Sequence, residues 1–176
     1  MPLSVHQMTV PAFTAMLTNM KGWLDKSAAL KPEAELMEAR LAPDMYPLAR
    51  QFQITSDIAK GTIARLSGVD APAMPDTESS FADLKDRCDR TIAYVQSADR
   101  DALEAGLGRT ITVTFPTGGG MRFDGLTYLT GFCLPNFYFH ASTAYDILRN
   151  QGAELGKADL LTHLIPNIFG MELAQT

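Results

Sequence analysis

Apolar residues fall into four stretches with helical spacing and one with strand spacing. In the first, Val10, Phe13, Leu17, Met20 and Leu24 recur at alternating steps of three and four, which places them on one helical stripe. Pro11 fits a first turn, where its missing N–H costs little, and Lys31-Pro32 marks the exit. The second stretch begins near Pro43. Leu41, Met45, Leu48 and Phe52 make its apolar face, Thr55, Ala59 and Leu66 continue it, and Gly68 stops it. A loop over residues 69 to 79 holds Asp70, Pro72, Pro75 and Asp76, a turn composition. Ser80 then precedes Phe81, Leu84, Cys88, Ile92 and Val95, with Asp83 at the N3 position of a capping box, so a third helix is expected over about residues 80 to 97.

The period changes between residues 109 and 125. Ile111, Val113 and Phe115 alternate with Thr110, Thr112 and Thr114, which is strand spacing. Pro116 and Gly118-Gly119-Gly120 supply a turn, and Met121-Arg122-Phe123 a short return strand, giving a β-hairpin inserted between helices three and four. The fourth long helix is expected over residues 126 to 150, with Gly152 just beyond it and Leu129, Cys133, Asn136, His140, Ala144 and Ile147 facing inward. Pro135 lacks an N–H and crowds the Gly131 carbonyl, so a kink is expected near residues 131 to 135. A short helical turn around residues 159 to 165, closed by Pro166, ends the pattern. Four such stripes can be buried only against one another, which predicts an all-α, single-domain four-helix bundle spanning residues 1–176, with one hairpin excursion.

Composition narrows the function classes. At 176 residues, 46% hydrophobic and 20% charged, the chain can bury a core without disulfides or metal. Net charge is −5 with both signs interleaved, and no Lys/Arg stripe could neutralise a run of phosphates, which argues against nucleic acid and against anionic lipid. Cys88 and Cys133 sit in apolar helical patterns and not in a paired spacing, so they read as reduced core thiols. There is no basic stretch followed by an apolar run at the start and no membrane-length apolar segment. A cytoplasmic location and no membrane partner are therefore expected. Dinucleotide fingerprints, Walker-type loops and nucleophile elbows are absent from the sequence, and Gly118-Gly119-Gly120 lacks the following Lys and helix of a phosphate cradle.

Several strings resemble a known family: Ala39-Arg40-Leu41-Ala42-Pro43-Asp44-Met45-Tyr46-Pro47-Leu48 followed by Gln51, Leu134-Pro135-Asn136-Phe137-Tyr138-Phe139-His140, Ala144-Tyr145-Asp146-Ile147-Leu148-Arg149, and Leu155-Gly156-Lys157-Ala158-Asp159. Together they resemble the domain of unknown function numbered nineteen-ninety-three, of the DinB-like (YfiT-like) metalloenzyme superfamily. The likeness runs from residue 5 to about 161, and its most specific string is Pro-Asn-Phe-Tyr-Phe-His. It implies a DinB-like antiparallel four-helix bundle, commonly a homodimer. In better-studied relatives a divalent metal is held by one His of the second helix and two His four apart on the last long helix, and some act in thiol-dependent transferase or isomerase chemistry. Fold alone does not transfer that chemistry.

Two His one helical turn apart, with a third from a facing helix, can grip one cation and leave positions open for water or substrate. In this chain the corresponding positions are Asn136, His140 and Gln51, which leaves one strong nitrogen donor. Carboxamide oxygens are poor ligands for zinc or nickel. The other two of the three His, His6 and His163, lie near the ends. No cofactor is therefore predicted, and a rebuilt divalent-metal site would need His140 with Asp44 or Asp57. If Gln51, Asn136 and His140 converge in the apolar interior, two readings are open. One is a satisfied polar network that fixes helix register. The other is a small pocket, opened at Pro135 and flanked by Asp44, that binds a small molecule or holds His140 as a catalytic base.

Lys157 and Asp159 read as a tail salt bridge that packs the segment onto the bundle, and Arg40 with Asp44 as a local ion pair of small energy. Phe137 and Phe139 cannot face the same neighbour, so one is expected at a dimer contact. The leading reading is a DinB-like bundle with a degenerate metal site that binds a small molecule or catalyses weakly. Its rivals are a metal enzyme with a rebuilt ligand set and a non-catalytic dimeric interaction module.

Overall fold

The computed structural model describes residues 3–115 and 117–169. Helix α1, Val5–Ser27, opens well ahead of Val10 because its end is capped twice. Ser4 Oγ accepts from the Gln7 N–H at 3.1 Å, and the Gln7 side chain accepts from the Ser4 N–H at 3.0 Å. The Glu104 carboxylate, from a later element, accepts from the Val5 and His6 N–H groups at 3.0 and 3.1 Å. With those donors satisfied the helix starts early, and Pro11 lies inside it instead of in its first turn. A short helix that the pattern does not announce, α2 (Glu33–Glu38), follows.

Helix α3 runs Leu48–Ser67, with Pro47 as its N-cap, so the second long helix does not begin at Pro43. A helix begun there would set the missing Pro47 N–H, and its ring, against the Pro43 carbonyl. The residue before Pro47 is also disfavoured in the α region. Residues 39 to 47 are accordingly non-helical, and Leu41 and Asp44 are exposed. Gly68 stops α3 in the left-handed region at φ 78°, as its place in the pattern predicts.

Helix α4, Phe81–Gln96, is capped by Ser80 Oγ, which accepts from the Asp83 N–H at 3.1 Å. Asp83 answers on Ser79 rather than Ser80, accepting from its N–H at 3.0 Å. Helix α5 (Arg100–Ala105) and a 3-10 turn (Gly106–Gly108) lead into the expected hairpin. Its strands β1 (Thr110–Thr114) and β2 (Gly120–Asp124) are antiparallel, with Thr110 opposite Asp124 and Thr114 opposite Gly120. Ile111 and Val113 point inward, while Phe115 has left the strand and is exposed. Pro116, assigned to the turn, lies outside the described residues.

The fourth long segment is one helical run of three parts: α6 (Gly125–Thr127), a π segment (Tyr128–Cys133) and α7 (Leu134–Asn150). Pro135 has no N–H to give. The distortion it predicts takes the form of the wider π turn just before it, where the Leu134 N–H donates to the Leu129 carbonyl five residues back. Two sequence glycines let the hairpin dock: a Cβ on Gly125 would sit 2.1 Å from the Gly106 carbonyl oxygen, and one on Gly106 2.5 Å from that of Leu66. The tail forms α8 (Lys157–Leu160) and a 3-10 segment (Thr162–Asn167) that contains Pro166 instead of ending at it.

The described chain is thus mainly helical with one small two-stranded sheet. The long elements pack α1 on α4, α4 on α3, α3 on α7 and α7 on α1. They share a core that includes Phe13, Leu17, Trp23, Phe52, Leu84 and Phe137. No helix among the described residues is long and apolar enough to cross a membrane. Cys88 and Cys133 are free and buried, and burial pushes each thiol up to about 12.

Candidate functional site

Gln51 stands on the first turn of α3 and His140 in the middle of α7. Because α3 packs along α7, the two side chains meet: His140 Nδ1 lies 2.7 Å from Gln51 Oε1. The other end of the Gln51 amide donates from Nε2 to the Tyr46 carbonyl at 3.0 Å. Tyr46 precedes the Pro47 cap, so its carbonyl lies outside the helical ladder and is free to accept.

These two bonds determine where the protons are. A backbone carbonyl only accepts, so the Gln51 NH₂ must face Tyr46 and its oxygen must face His140. An oxygen there can only accept, so Nδ1 carries the imidazole proton. In the neutral ring Nε2 is then left with a lone pair. Nε2 has no protein partner among the described residues and is not among their buried unpartnered atoms, and the His140 side chain keeps a small exposure. Burial, with the Arg50 positive charge adding to it, pulls the His140 pKa below its ordinary value and keeps the ring neutral near pH 7. A buried, neutral imidazole with a fixed tautomer and one open lone pair can accept a proton or a hydrogen bond.

Asn136 stands one turn before His140 on the same face of α7, but it is half-buried and its side chain makes no hydrogen bond among the described residues. The structure therefore joins Gln51 and His140 directly and leaves Asn136 as an unengaged neighbour. Asp44 is exposed in the segment before α3. Asp57 lies six residues beyond Gln51, which turns it about 120° away around the helix. There it pairs with Arg87 Nη2 at 2.8 Å and Lys60 Nζ at 2.8 Å. Neither carboxylate supplements His140, and among the described residues no group of three or more His, Cys, Asp or Glu is arranged to hold a metal. The donor set does not fit a resident divalent cation: it has one imidazole and two carboxamides, and the Gln51 oxygen is already engaged.

Sequence reasoning missed a second polar cluster, on the face of α3 that meets α4. Arg87 is fully buried. Its Nη1 donates to Glu78 Oε1 at 2.8 Å and to the Pro75 carbonyl at 3.3 Å, and Asp76 stands 3.1 Å away. Gln53 Nε2 donates to Glu78 Oε2 at 2.9 Å, while Arg50 binds both Asp76 and Gln53. Burial alone would raise the Glu78 pKa, but the hydrogen bonds from Arg87 and Gln53 outweigh it and hold the carboxyl below its usual value. The signal was present in the sequence. The buried stripe of α4 is Phe81, Leu84, Arg87, Cys88, Thr91 and Val95, and an arginine on such a stripe requires carboxylates.

Smaller expectations separate in the same way. The tail is tied to the bundle by an ion pair, but Asp159 takes Lys26 at 2.6 Å as its partner and not Lys157. Arg40 donates to the Met45 carbonyl at 2.5 Å, and Asp44 makes no ion pair among the described residues.

The described residues form a mainly helical protein in which Gln51 and His140 make a buried polar pair. Residues 5–161 match the family described as Domain of unknown function (DUF1993), and the chain belongs to that family. It is also similar to the crystal structure of a DinB family member protein from Shewanella denitrificans, with 32% identity and a TM-score of 0.81 over 97% of this chain and 94% of that one. The fold is DinB-like. No curated protein matches.

Proposed function

We propose that the chain is an antiparallel DinB-type four-helix bundle whose site works without a resident metal, binding a small molecule at His140 and offering Nε2 as acceptor or weak general base. The observation that carries this reading is the paired bond Tyr46 carbonyl to Gln51 to His140 Nδ1, which presents a lone pair at Nε2. A bound O–H, N–H or S–H group would donate to Nε2. If its proton transfers, the imidazolium keeps its Nδ1–H on the Gln51 oxygen, which supports the charged ring without itself changing protonation. Asn136, one turn away with no side-chain hydrogen bond among the described residues, would orient the ligand.

A thermal-shift screen of small molecules bearing such donors, on protein treated with chelator, tests the reading. A hit should survive chelation, disappear in His140→Ala and weaken in Asn136→Leu. Stoichiometric zinc or nickel that co-purifies with the protein, with binding lost on its removal, would replace this reading with that of a metal enzyme.

Self-association is a second reading, supported by exposed Leu164, Ile165, Ile168 and Phe169 on the tail and Phe139 on α7. It is tested by sedimentation. A homodimer that Ile165→Glu dissociates would support it, and a monomer at all concentrations would exclude it.

A further inference from the structure

A cleft lies against the Tyr138 side of α7, away from His140, between α1, α7 and the tail. It encloses about 250 Å³ and is lined by Ala12 and Met16 of α1, Tyr138 and Ser142 of α7, and Leu160, Leu161 and His163 of the tail. Its outer wall is held in place. Asn19 Nδ2 donates to the Leu160 carbonyl at 2.6 Å, Trp23 Nε1 to the Asp159 carbonyl at 3.0 Å, and Thr162 bonds the Asn19 side chain. Asp159 pairs with Lys26 at 2.6 Å and accepts from the Gly156 N–H at 2.8 Å. The tail is thereby fixed to α1 at the positions that frame the cleft.

The lining has a definite chemistry. Ala12, Met16, Leu160 and Leu161 give apolar walls. Tyr138 and Ser142, four apart and so on the same face of α7, bring two hydroxyl-bearing side chains to the lining, and His163 adds an imidazole from the tail. These three side chains are exposed and have no hydrogen-bond partner among the described residues, so each can bond water or a ligand. No Asp, Glu, Lys or Arg lines the cleft, so at a pH where His163 is neutral an ionised ligand would shed water with no counter-charge to meet it. A cavity of about 150 Å³ suffices for benzene, so 250 Å³ accommodates a substituted ring. Burial pushes the Tyr138 phenol up and keeps it a proton donor.

We infer that this cleft is a second ligand site, for a small neutral aromatic molecule whose ring packs on Met16, Leu160 and Leu161 and whose hydroxyl or carbonyl head bonds Tyr138 and Ser142. It is independent of the proposed role of His140.

The test uses the full chain and two probes, p-cresol and benzoate, followed by NMR of the methionine methyls and the Tyr138 ring. Saturable p-cresol shifts at Met16 and Tyr138, with benzoate at least tenfold weaker, are expected. Ser142→Leu and Ala12→Leu, which fill the cleft from opposite walls, should each weaken p-cresol at least tenfold, while His140→Ala leaves it unchanged. Non-saturating shifts, equal binding of benzoate, or undiminished binding in both filled variants would overturn the assignment.

Discussion

Two polar clusters occupy different faces of α3, and they are built on opposite principles. On the α7 side Gln51 and His140 form a neutral pair that leaves one nitrogen lone pair open. On the α4 side Arg87 is enclosed by Glu78, Asp57 and Asp76, an ionic cluster that spends its guanidinium nearly completely on the protein. Among the described residues, Nε is the one nitrogen of the Arg87 guanidinium without a partner. The ionic cluster therefore serves architecture: it clamps the turn-rich loop holding Pro75 and Asp76 onto two helices. The neutral pair leaves Nε2 of His140 without a partner among the described residues. Arg50 bonds Gln53 and Asp76 in the ionic cluster, and its charge adds to burial in lowering the His140 pKa.

The comparison predicts very different responses to substitution. Arg87→Met should be the most damaging change, at about 3–5 kcal/mol of unfolding free energy, because it strands buried Glu78 without its partner. Urea denaturation checks this, and a variant within 1 kcal/mol of the parent (roughly the scale of an exposed pair) would show that the cluster is no clamp. Gln51→Leu should cost less, about 1–3 kcal/mol, since it leaves the His140 Nδ1–H and the Tyr46 carbonyl unsatisfied. It should also let the imidazole populate both tautomers, which nitrogen NMR would detect.

Acid should separate the clusters in sequence. His140 has a depressed pKa in the folded chain, so its contribution is complete above about pH 6.5. Below that the unfolded chain binds the extra proton, and the contribution is lost as pH falls through the folded value. Glu78 is also depressed, but from a carboxylate's ordinary value of 4.5, so its contribution persists above that pH and is lost at lower pH. Stability measured against pH should show the His140 slope vanish in His140→Ala and the later slope vanish in Glu78→Gln. One step unaffected by either substitution would contradict the assignment. The smallest effect is expected from Lys85→Ala, which removes a surface pair with Asp25 and should leave the urea midpoint unmoved within error.

Much of this arrangement is legible in the sequence, and the exceptions have physical causes. Stripe spacing, Gly68 and the Ser80 cap locate α3's end and α4, and the Thr alternation locates the hairpin. The helix starts are less legible. The early start of α1 depends on Glu104, about a hundred residues away in sequence, and the late start of α3 on the combined exclusion by Pro43 and Pro47. At the site, spacing and resemblance bring Gln51 and His140 to one place. They cannot foresee that Asn136 stays unengaged, that Asp44 falls outside the helix, or that Asp57 turns toward Arg87. Asp44 is excluded by the late start that Pro47 imposes, whereas the fates of Asn136 and Asp57 depend on which neighbouring helix each face meets, which local periodicity does not encode.

The most direct test is long-range proton–nitrogen NMR of the His140 ring in protein labelled at histidine, followed from pH 8 to 4. The account predicts the Nδ1–H tautomer, unchanged by chelator, with a titration midpoint below that of a free histidine. An Nε2–H ring, a midpoint above the ordinary value, or a nitrogen signal that moves when metal is stripped would contradict it.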